Sequence, residues 1–100
     1  MEKSTPHCRL SVIKARTRSG HVRITSTAMR TAAALELDLN AILKVISALT
    51  LRDFYKSMTT HDDHPIWQDV YRPTTAVGPV YLKLTVIDEL IIVSYKELQS

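Results

Sequence analysis

The hydrophobic period of this chain changes once, close to residue 55. Before that point apolar residues recur every three or four positions, as Ile42, Ile46 and Leu49 do, which is typical of helices. After it apolar and polar residues alternate, as in YLKLTVI (81–87), which is typical of strands. The strand-like segments are joined by loops too short for parallel crossovers. The pattern therefore predicts an α+β fold, with N-terminal helices packed on an antiparallel sheet formed mainly by the C-terminal half.

Local signals set the element boundaries in the first half of the chain. Thr5 and Pro6 read as a helix N-cap and first helical position, and Gly20 as a stop, which predicts a helix over residues 6–19. The remaining predicted elements are a strand at 21–25, a helix that starts at Ser26 and includes 27–37, a helix capped by Asp38 or Asn40, and a capped turn from Thr50 to Asp53.

In the second half we predict strands at 56–60, 66–72, 81–87 and 90–97, with a turn at 61–65 and a connector at 73–79. If Asp88 and Glu89 form a two-residue hairpin loop, Tyr81 lies opposite Lys96 and Lys83 opposite Ser94 on a polar face. The other face, with Val93 and Ile91 in the last strand, is then the core. A slip of one residue would reverse every side chain of the slipped strand.

The length of 100 residues predicts a single domain, 1–100. No apolar run is long enough to cross a bilayer, and the N-terminus lacks the apolar region of a signal peptide, so we expect a cytoplasmic protein. Cys8 is the only cysteine, which excludes an internal disulfide and a multi-cysteine zinc site.

The positive charge is concentrated in residues 1–30, which carry a net charge of +6, whereas the whole chain carries +3. Such a block can attract a polyanion such as RNA or an acidic protein partner. It can equally be the solvated face of a helix. The sequence leaves both interpretations open.

One short segment, DFYKSMTTHDDHPIWQDVY (53–71), concentrates polar and aromatic side chains. His61-Asp62-Asp63-His64 contains residue types that bind metals, but the aspartates of a turn more simply form hydrogen bonds with the local backbone. We therefore assign no metal site. Trp67 and Tyr71 fit either base stacking or core packing. A sheet face with lysines, a tyrosine and a glutamine suits an anionic, planar ligand such as RNA.

The stretches DFYKSMTTHDDHPIWQDVYRP and VYLKLTVIDELIIVSYKE, together with the start MEKSTPHCRL, resemble the motility quorum-sensing regulator (MqsR) toxin family along almost the whole chain. The resemblance implies a RelE/YoeB-like fold and a metal-independent mRNA interferase, without a cofactor, that cuts single-stranded mRNA at GC-containing triplets such as GCU. It implies a cognate zinc-containing antitoxin with a helix-turn-helix domain, and contact with DNA only through that antitoxin. Tyr95 stands where the family pattern has phenylalanine.

The resemblance places the catalytic residues at Lys56, Gln68, Tyr81 and Lys96. Metal-free cleavage makes the ribose 2′-hydroxyl attack the adjacent phosphorus and yields a 2′,3′-cyclic phosphate. Lysines can neutralise the phosphorane, and tyrosine can supply a proton. As weaker RNA-binding candidates we name the side chains of Arg72, Tyr55 and His7.

The main alternative is a non-catalytic module that binds RNA or an acidic antitoxin. A helix-turn-helix DNA regulator is disfavoured, because no recognition-helix pattern stands out and most of the polar chemistry lies in strands.

Overall fold

The computed structural model describes residues 1–59 and 66–98. The helices are α1 (Leu10–Ser19), α2 (Ser26–Ala34) and α3 (Leu39–Ser47), followed by a 3-10 turn at Leu51–Asp53. The strands are β1 (Glu2–Lys3), β2 (Val22–Ile24), β3 (Phe54–Thr59), β4 (Trp67–Tyr71), β5 (Thr74–Thr75), β6 (Gly78–Ile87) and β7 (Glu89–Glu97). The α+β class is confirmed, with strands mainly in the C-terminal half. No helix in the described ranges is long and apolar enough to span a membrane.

The strands form one sheet in the order β1-β3-β4-β6-β7-β2, and the short β5 pairs with β6. All pairs are antiparallel except the one at the β2 edge, where β2 runs parallel to β7. The predicted strand at 21–25 is thus present, but as a parallel edge strand. The predicted connector at 73–79 contains β5 and the start of β6.

The three helices pack on one face of the sheet and form the core with it. Tyr71, Leu82, Leu84 and Tyr95 from the sheet are fully buried there with Ile13, Ile42 and Ile46 from the helices. Ile13 comes from α1, whereas Ile42 and Ile46 lie one turn apart on α3, as the helical spacing predicted.

The first helix begins at Leu10, so the prediction of a helix over 6–19 is wrong at its N-terminal end. The buried carboxylate of Asp69 accepts hydrogen bonds from the backbone N–H groups of His7 and Cys8, both at 2.9 Å. It also accepts one from the Ser57 hydroxyl at 2.7 Å. These bonds hold the residues before α1 against the sheet in a non-helical path. The hydrogen bonds to Asp69, which is distant in the sequence, therefore override the local helix signal of Thr5-Pro6.

The other helix signals are largely confirmed. α2 begins at Ser26 but ends at Ala34, before the predicted residue 37, because the chain turns through Glu36 at a φ of 59°. Of the two candidate caps for α3, Asp38 is the one used, accepting from the N–H of Ala41 at 2.9 Å. The predicted capped turn is also present: the Asp53 carboxylate accepts from the N–H of Thr50 at 2.8 Å.

The predicted register of the β6–β7 hairpin is confirmed far from the turn, where Tyr81 pairs with Lys96 and Lys83 with Ser94. Near the turn it is wrong. A single residue, Asp88, connects the strands at a φ of 62°, and Ile87 pairs with Glu89. Aspartate is among the few residues that adopt this left-handed conformation readily.

A register shift between Lys83 and Leu84 compensates for the shorter turn. Leu84 therefore pairs with Ile92, and it is Ile92 and Leu90 that are buried in the core. The prediction that Ile91 and Val93 face the core is wrong, because the β-bulge reverses the side chains of that half of β7.

Candidate active site on the open face of the sheet

The face of the sheet opposite the helices carries a row of side chains across four strands. Lys56 on β3 pairs with Val70 on β4, Val70 pairs with Lys83 on β6, and Lys83 pairs with Ser94 on β7. Directly paired residues point to the same side of a sheet. Their neighbours Ser57, Tyr71, Leu82 and Tyr95 point to the helix side. We call the side with Lys56, Gln68, Tyr81, Lys83 and Lys96 the open face.

All four predicted catalytic residues lie on the open face. Gln68 is two residues from Val70 on β4, and Tyr81 is two residues from Lys83 on β6. Lys96 pairs with Tyr81 and is two residues from Ser94. Since side chains two positions apart on a strand share a face, the structure brings the predicted set together. Lys56 and Lys96 are on the same side of the molecule.

Cations flank two aromatic rings on this face. The ammonium nitrogens of Lys96 and Lys83 lie 5.0 Å and 5.8 Å from the ring centre of Tyr81. Tyr55 lies at an irregularity in the β3–β4 pairing, and its ring has the Arg72 guanidinium at 4.7 Å and the Lys56 nitrogen at 5.4 Å. Tyr55 and Arg72, both predicted to bind RNA, therefore lie next to the predicted catalytic Lys56.

Lys56 forms an ion pair with Glu2 of the N-terminal strand β1. Its ammonium nitrogen lies 2.6 Å from a carboxylate oxygen of Glu2, which pairs with Met58 and so points to the open face. The hydrogen bond to Glu2 raises the pKa of Lys56, and the same bond lowers the pKa of Glu2. The structure therefore stabilises Lys56 as an ammonium ion.

Lys83 has the opposite electrostatic environment. Its side chain is half-buried at the centre of the row, and burial lowers its pKa, with further contributions from Lys96 and then Lys56. Sequence reasoning placed Lys83 on the polar face but did not select it as a site residue. The hairpin register was the available signal, because it places the Lys83–Ser94 pair two residues along the strands from the Tyr81–Lys96 pair.

His7 does not join this group. Its exposed ring stacks on Trp67 at a centroid distance of 5.5 Å, and the Lys3 nitrogen lies 4.2 Å from the Trp67 ring. Trp67 is two residues from Asp69 and therefore belongs to the helix side of the sheet. The structure thus separates His7 from the other two predicted RNA-binding residues, Tyr55 and Arg72.

Part of the basic N-terminal block is also remote from the open face. Arg16 of α1 donates to the backbone carbonyl of Asp88 at 2.9 Å, at the turn of the β6–β7 hairpin. Arg23 is different: it pairs with Ile91 and so points to the open side at the β2 edge of the sheet, where its guanidinium lies 4.0 Å from the Glu89 carboxylate. α1 contributes Ile13 to the core on the helix side. Of the two interpretations of the block, a solvated helix face fits the position of α1 better.

The segment His61–His64, for which metal binding was considered, lies outside the described residues. Within the described ranges no three histidine, cysteine, aspartate or glutamate side chains gather as a metal site would require.

Comparison with known proteins identifies the family of the chain. The model of the family described as "Motility quorum-sensing regulator, toxin of MqsA" matches residues 5–97. The chain is 55% identical over 97 residues to the mRNA interferase toxin MqsR of Escherichia coli strain K12, covering 97% of this chain and 99% of that protein. The chain therefore belongs to the motility quorum-sensing regulator family, the toxins of MqsA.

Proposed function

We propose that this protein is an mRNA interferase, an endoribonuclease toxin that blocks translation by cutting single-stranded mRNA. One observation carries the proposal: Lys56, Gln68, Tyr81 and Lys96 come from four strands and meet on the open face, away from the core. Cations, a phenol and an amide on one accessible surface are the groups that phosphodiester cleavage needs. The name of the E. coli relative supports the same activity.

The chemistry is transfer of the phosphoryl group to the neighbouring ribose oxygen. The 2′-hydroxyl attacks phosphorus, the bond to the 5′-oxygen breaks, and the products are a 2′,3′-cyclic phosphate and a free 5′-hydroxyl. Lys56 and Lys96 neutralise charge on the phosphorane, Tyr81 protonates the 5′-oxygen, and Gln68 orients the phosphate or a base. Arg72 and Tyr55 hold a flanking nucleotide by charge and stacking.

The proposal includes the finer features of the family. Cleavage needs no metal ion and favours GC-containing triplets such as GCU. A cognate antitoxin, zinc-containing and with a helix-turn-helix domain, neutralises the toxin and is the route of any contact with DNA. The protein acts in the cytoplasm.

The test is cleavage of single-stranded RNA by the purified protein in EDTA, with cut sites and end groups mapped. We expect fragments that end in 2′,3′-cyclic phosphate, at a subset of GC-containing sites. Lys56→Ala and Lys96→Ala should each reduce cleavage at least about 100-fold with the fold intact. Unchanged cleavage in both variants would refute the site.

The alternative function is a non-catalytic module that binds RNA or an acidic protein. The Glu2–Lys56 contact favours it, because it demonstrates that a carboxylate fits against the open face. The same assay separates the two functions: intact RNA retained in a complex with the wild-type protein would support the binding module.

A further inference from the structure

We propose that Lys83 is a further catalytic residue of the open face and acts as the general base that removes the proton from the ribose 2′-hydroxyl. The inference rests on the proposed function and goes beyond it, since it assigns a proton-transfer step to a residue outside the predicted set of four.

The position of Lys83 supports this role. Lys83 occupies the middle of the row, between Val70 on β4 and Ser94 on β7. With strands about 4.8 Å apart, the Cα atoms of Lys56 and Lys83 are roughly 10 Å apart, and both side chains can reach one phosphate. The nitrogens of Lys83 and Lys96 already share the Tyr81 ring, at 5.8 Å and 5.0 Å. A phosphodiester bound by Lys56 and Lys96 is therefore within reach of Lys83.

Lys56 and Lys83 also differ in their charged neighbours. Lys56 has Glu2 at 2.6 Å, which stabilises its ammonium form. The described ion pairs are Lys56–Glu2 and Arg23–Glu89, so Lys83 has no carboxylate partner within residues 1–59 and 66–98. Its stem is half-buried beside the fully buried Val70. An amine that is desolvated next to other cations loses its proton more readily than a solvated one.

The groups that face Lys83 from the surrounding elements agree with this role. They are Lys56 from β3, Lys96 from β7 and Tyr81 on its own strand, while β4 presents Gln68 and Val70, which do not titrate. Glu2 of β1 is engaged by Lys56. Burial first, then Lys96 and Lys56, lower the pKa of Lys83, which increases its neutral fraction at a given pH.

The step balances. Neutral Lys83 takes the 2′-hydroxyl proton as the 2′-oxygen bonds to phosphorus, and Tyr81 gives its proton to the 5′-oxygen as the phosphorus–5′-oxygen bond breaks. Lys83 is then an ammonium ion and Tyr81 a phenolate, and proton exchange through solvent restores both. No oxidant, reductant or metal takes part.

The decisive variant is Lys83→Arg, which keeps the positive charge and removes a group that can be neutral near pH 7. We expect its kcat to fall by about 100-fold or more, the usual contribution of a general base. Binding of an uncleavable RNA with a 2′-deoxy sugar at the cut site should stay within about threefold. Lys44→Arg, on the exposed surface of α3, is the matched control and should cleave like the wild type.

Two further measurements define the role. The rise of wild-type kcat with pH, attributed to loss of the Lys83 proton, should be absent from the residual activity of Lys83→Arg. A substrate with sulfur in place of the 5′-bridging oxygen has a leaving group that needs no proton, so it rescues loss of a general acid only. We expect no rescue of Lys83→Arg by this substrate.

The outcomes are distinct. If Lys83→Arg cleaves within threefold of an active wild type, Lys83 is not the base. Rescue by the 5′-thio substrate would make it the acid, and a loss of binding that matches the loss of cleavage would make it a phosphate contact. Either result overturns the assignment. If the wild-type protein cleaves no RNA, the proposed function itself fails.

Discussion

At the scale of single residues, the open face separates lysines of the same chemistry by their neighbours. Lys56 lies against the carboxylate of Glu2, whereas Lys83 lies among cations. A carboxylate held 2.6 Å from an ammonium nitrogen occupies the position that a phosphate oxygen would take. Glu2 and the proposed substrate therefore compete for Lys56.

Replacing Glu2→Gln should improve the interaction with RNA. The amide keeps the shape but loses the charge, so Lys56 is freed for phosphate. Because exposed ion pairs are weak, we expect KM for a single-stranded RNA to fall only about two- to fivefold, with kcat little changed. Steady-state cleavage kinetics measure both constants. An increase in KM would mean that Glu2 helps to position Lys56 for substrate rather than competing with it.

Two buried tyrosines give a second prediction at this scale. The hydroxyls of Tyr71 and Tyr95 are buried and have no hydrogen-bond partner among the described residues. A buried polar group without a partner is destabilising, so Tyr95→Phe should raise the free energy of unfolding by about 1 kcal/mol near pH 7. Urea titrations would measure it. A decrease would show that the Tyr95 hydroxyl has a partner.

The same residue predicts a pH dependence. Burial raises the pKa of Tyr95 above its ordinary value of about 10, so the unfolded chain releases the phenol proton first. The stability that depends on the protonated phenol is complete below pH 10 and falls as the pH rises towards the folded pKa. The stability advantage of Tyr95→Phe over the wild type should therefore grow above pH 10. Unfolding titrations of both proteins between pH 8 and 11 test this; a constant difference would contradict it.

At the scale of elements, β4 holds the segment between the N-terminal strand β1 and the start of α1 in place. Asp69 accepts from His7 and Cys8, and β1 pairs with β3 next to it. The strand that bears Glu2 is thus attached to the sheet near the carboxylate of Asp69. Asp69 therefore contributes both to the stability of the fold and to the attachment of the strand whose Glu2 pairs with Lys56.

Asp69→Ala should therefore destabilise the protein by roughly 2 to 4 kcal/mol, because it leaves two part-buried N–H groups and the buried Ser57 hydroxyl without their acceptor. The melting temperature and urea midpoint measure the loss. Ser57→Ala is the matched control, since it removes one of the three bonds at the same carboxylate and should cost roughly 1 kcal/mol. Equal losses in the two variants would contradict the role given to the backbone bonds.

At the scale of the whole molecule, the sheet separates stability from the proposed activity. The helix side holds the core, while the open face holds the polar groups that packing does not need. The basic residues of α1 lie on the helix side, whereas Lys56, Arg72, Lys83 and Lys96 lie around Tyr55 and Tyr81 on the open face. RNA affinity should therefore depend more on the cations of the open face than on the basic residues of α1.

Salt dependence provides the measurement. If four phosphates are neutralised, log affinity for the 2′-deoxy-substituted RNA should fall against log salt with a slope of about −3. Lys96→Gln should make the slope shallower by about 0.7, whereas Arg18→Gln on α1 should leave it unchanged. Fluorescence anisotropy gives both slopes. Equal effects of the two substitutions would place RNA on both sides of the sheet.

The sequence by itself determined the α+β class and the register of the hairpin away from its turn, because the period of apolar residues and strand alternation are local properties. That register is why Tyr81 and Lys96 could be placed together before any coordinates. The site residues Lys56 and Gln68 came from the family resemblance; alternation within their strands does not fix which strands are neighbours.

Only the tertiary structure decided the rest. The start of α1 depends on Asp69, 61 and 62 residues further along the chain, and the inward face of β7 near the turn depends on a bulge opposite β6. The pKa of Lys83 depends on burial and on cations from two other strands. Hydrogen-bond partners and desolvation are set by non-local packing, which no local pattern encodes.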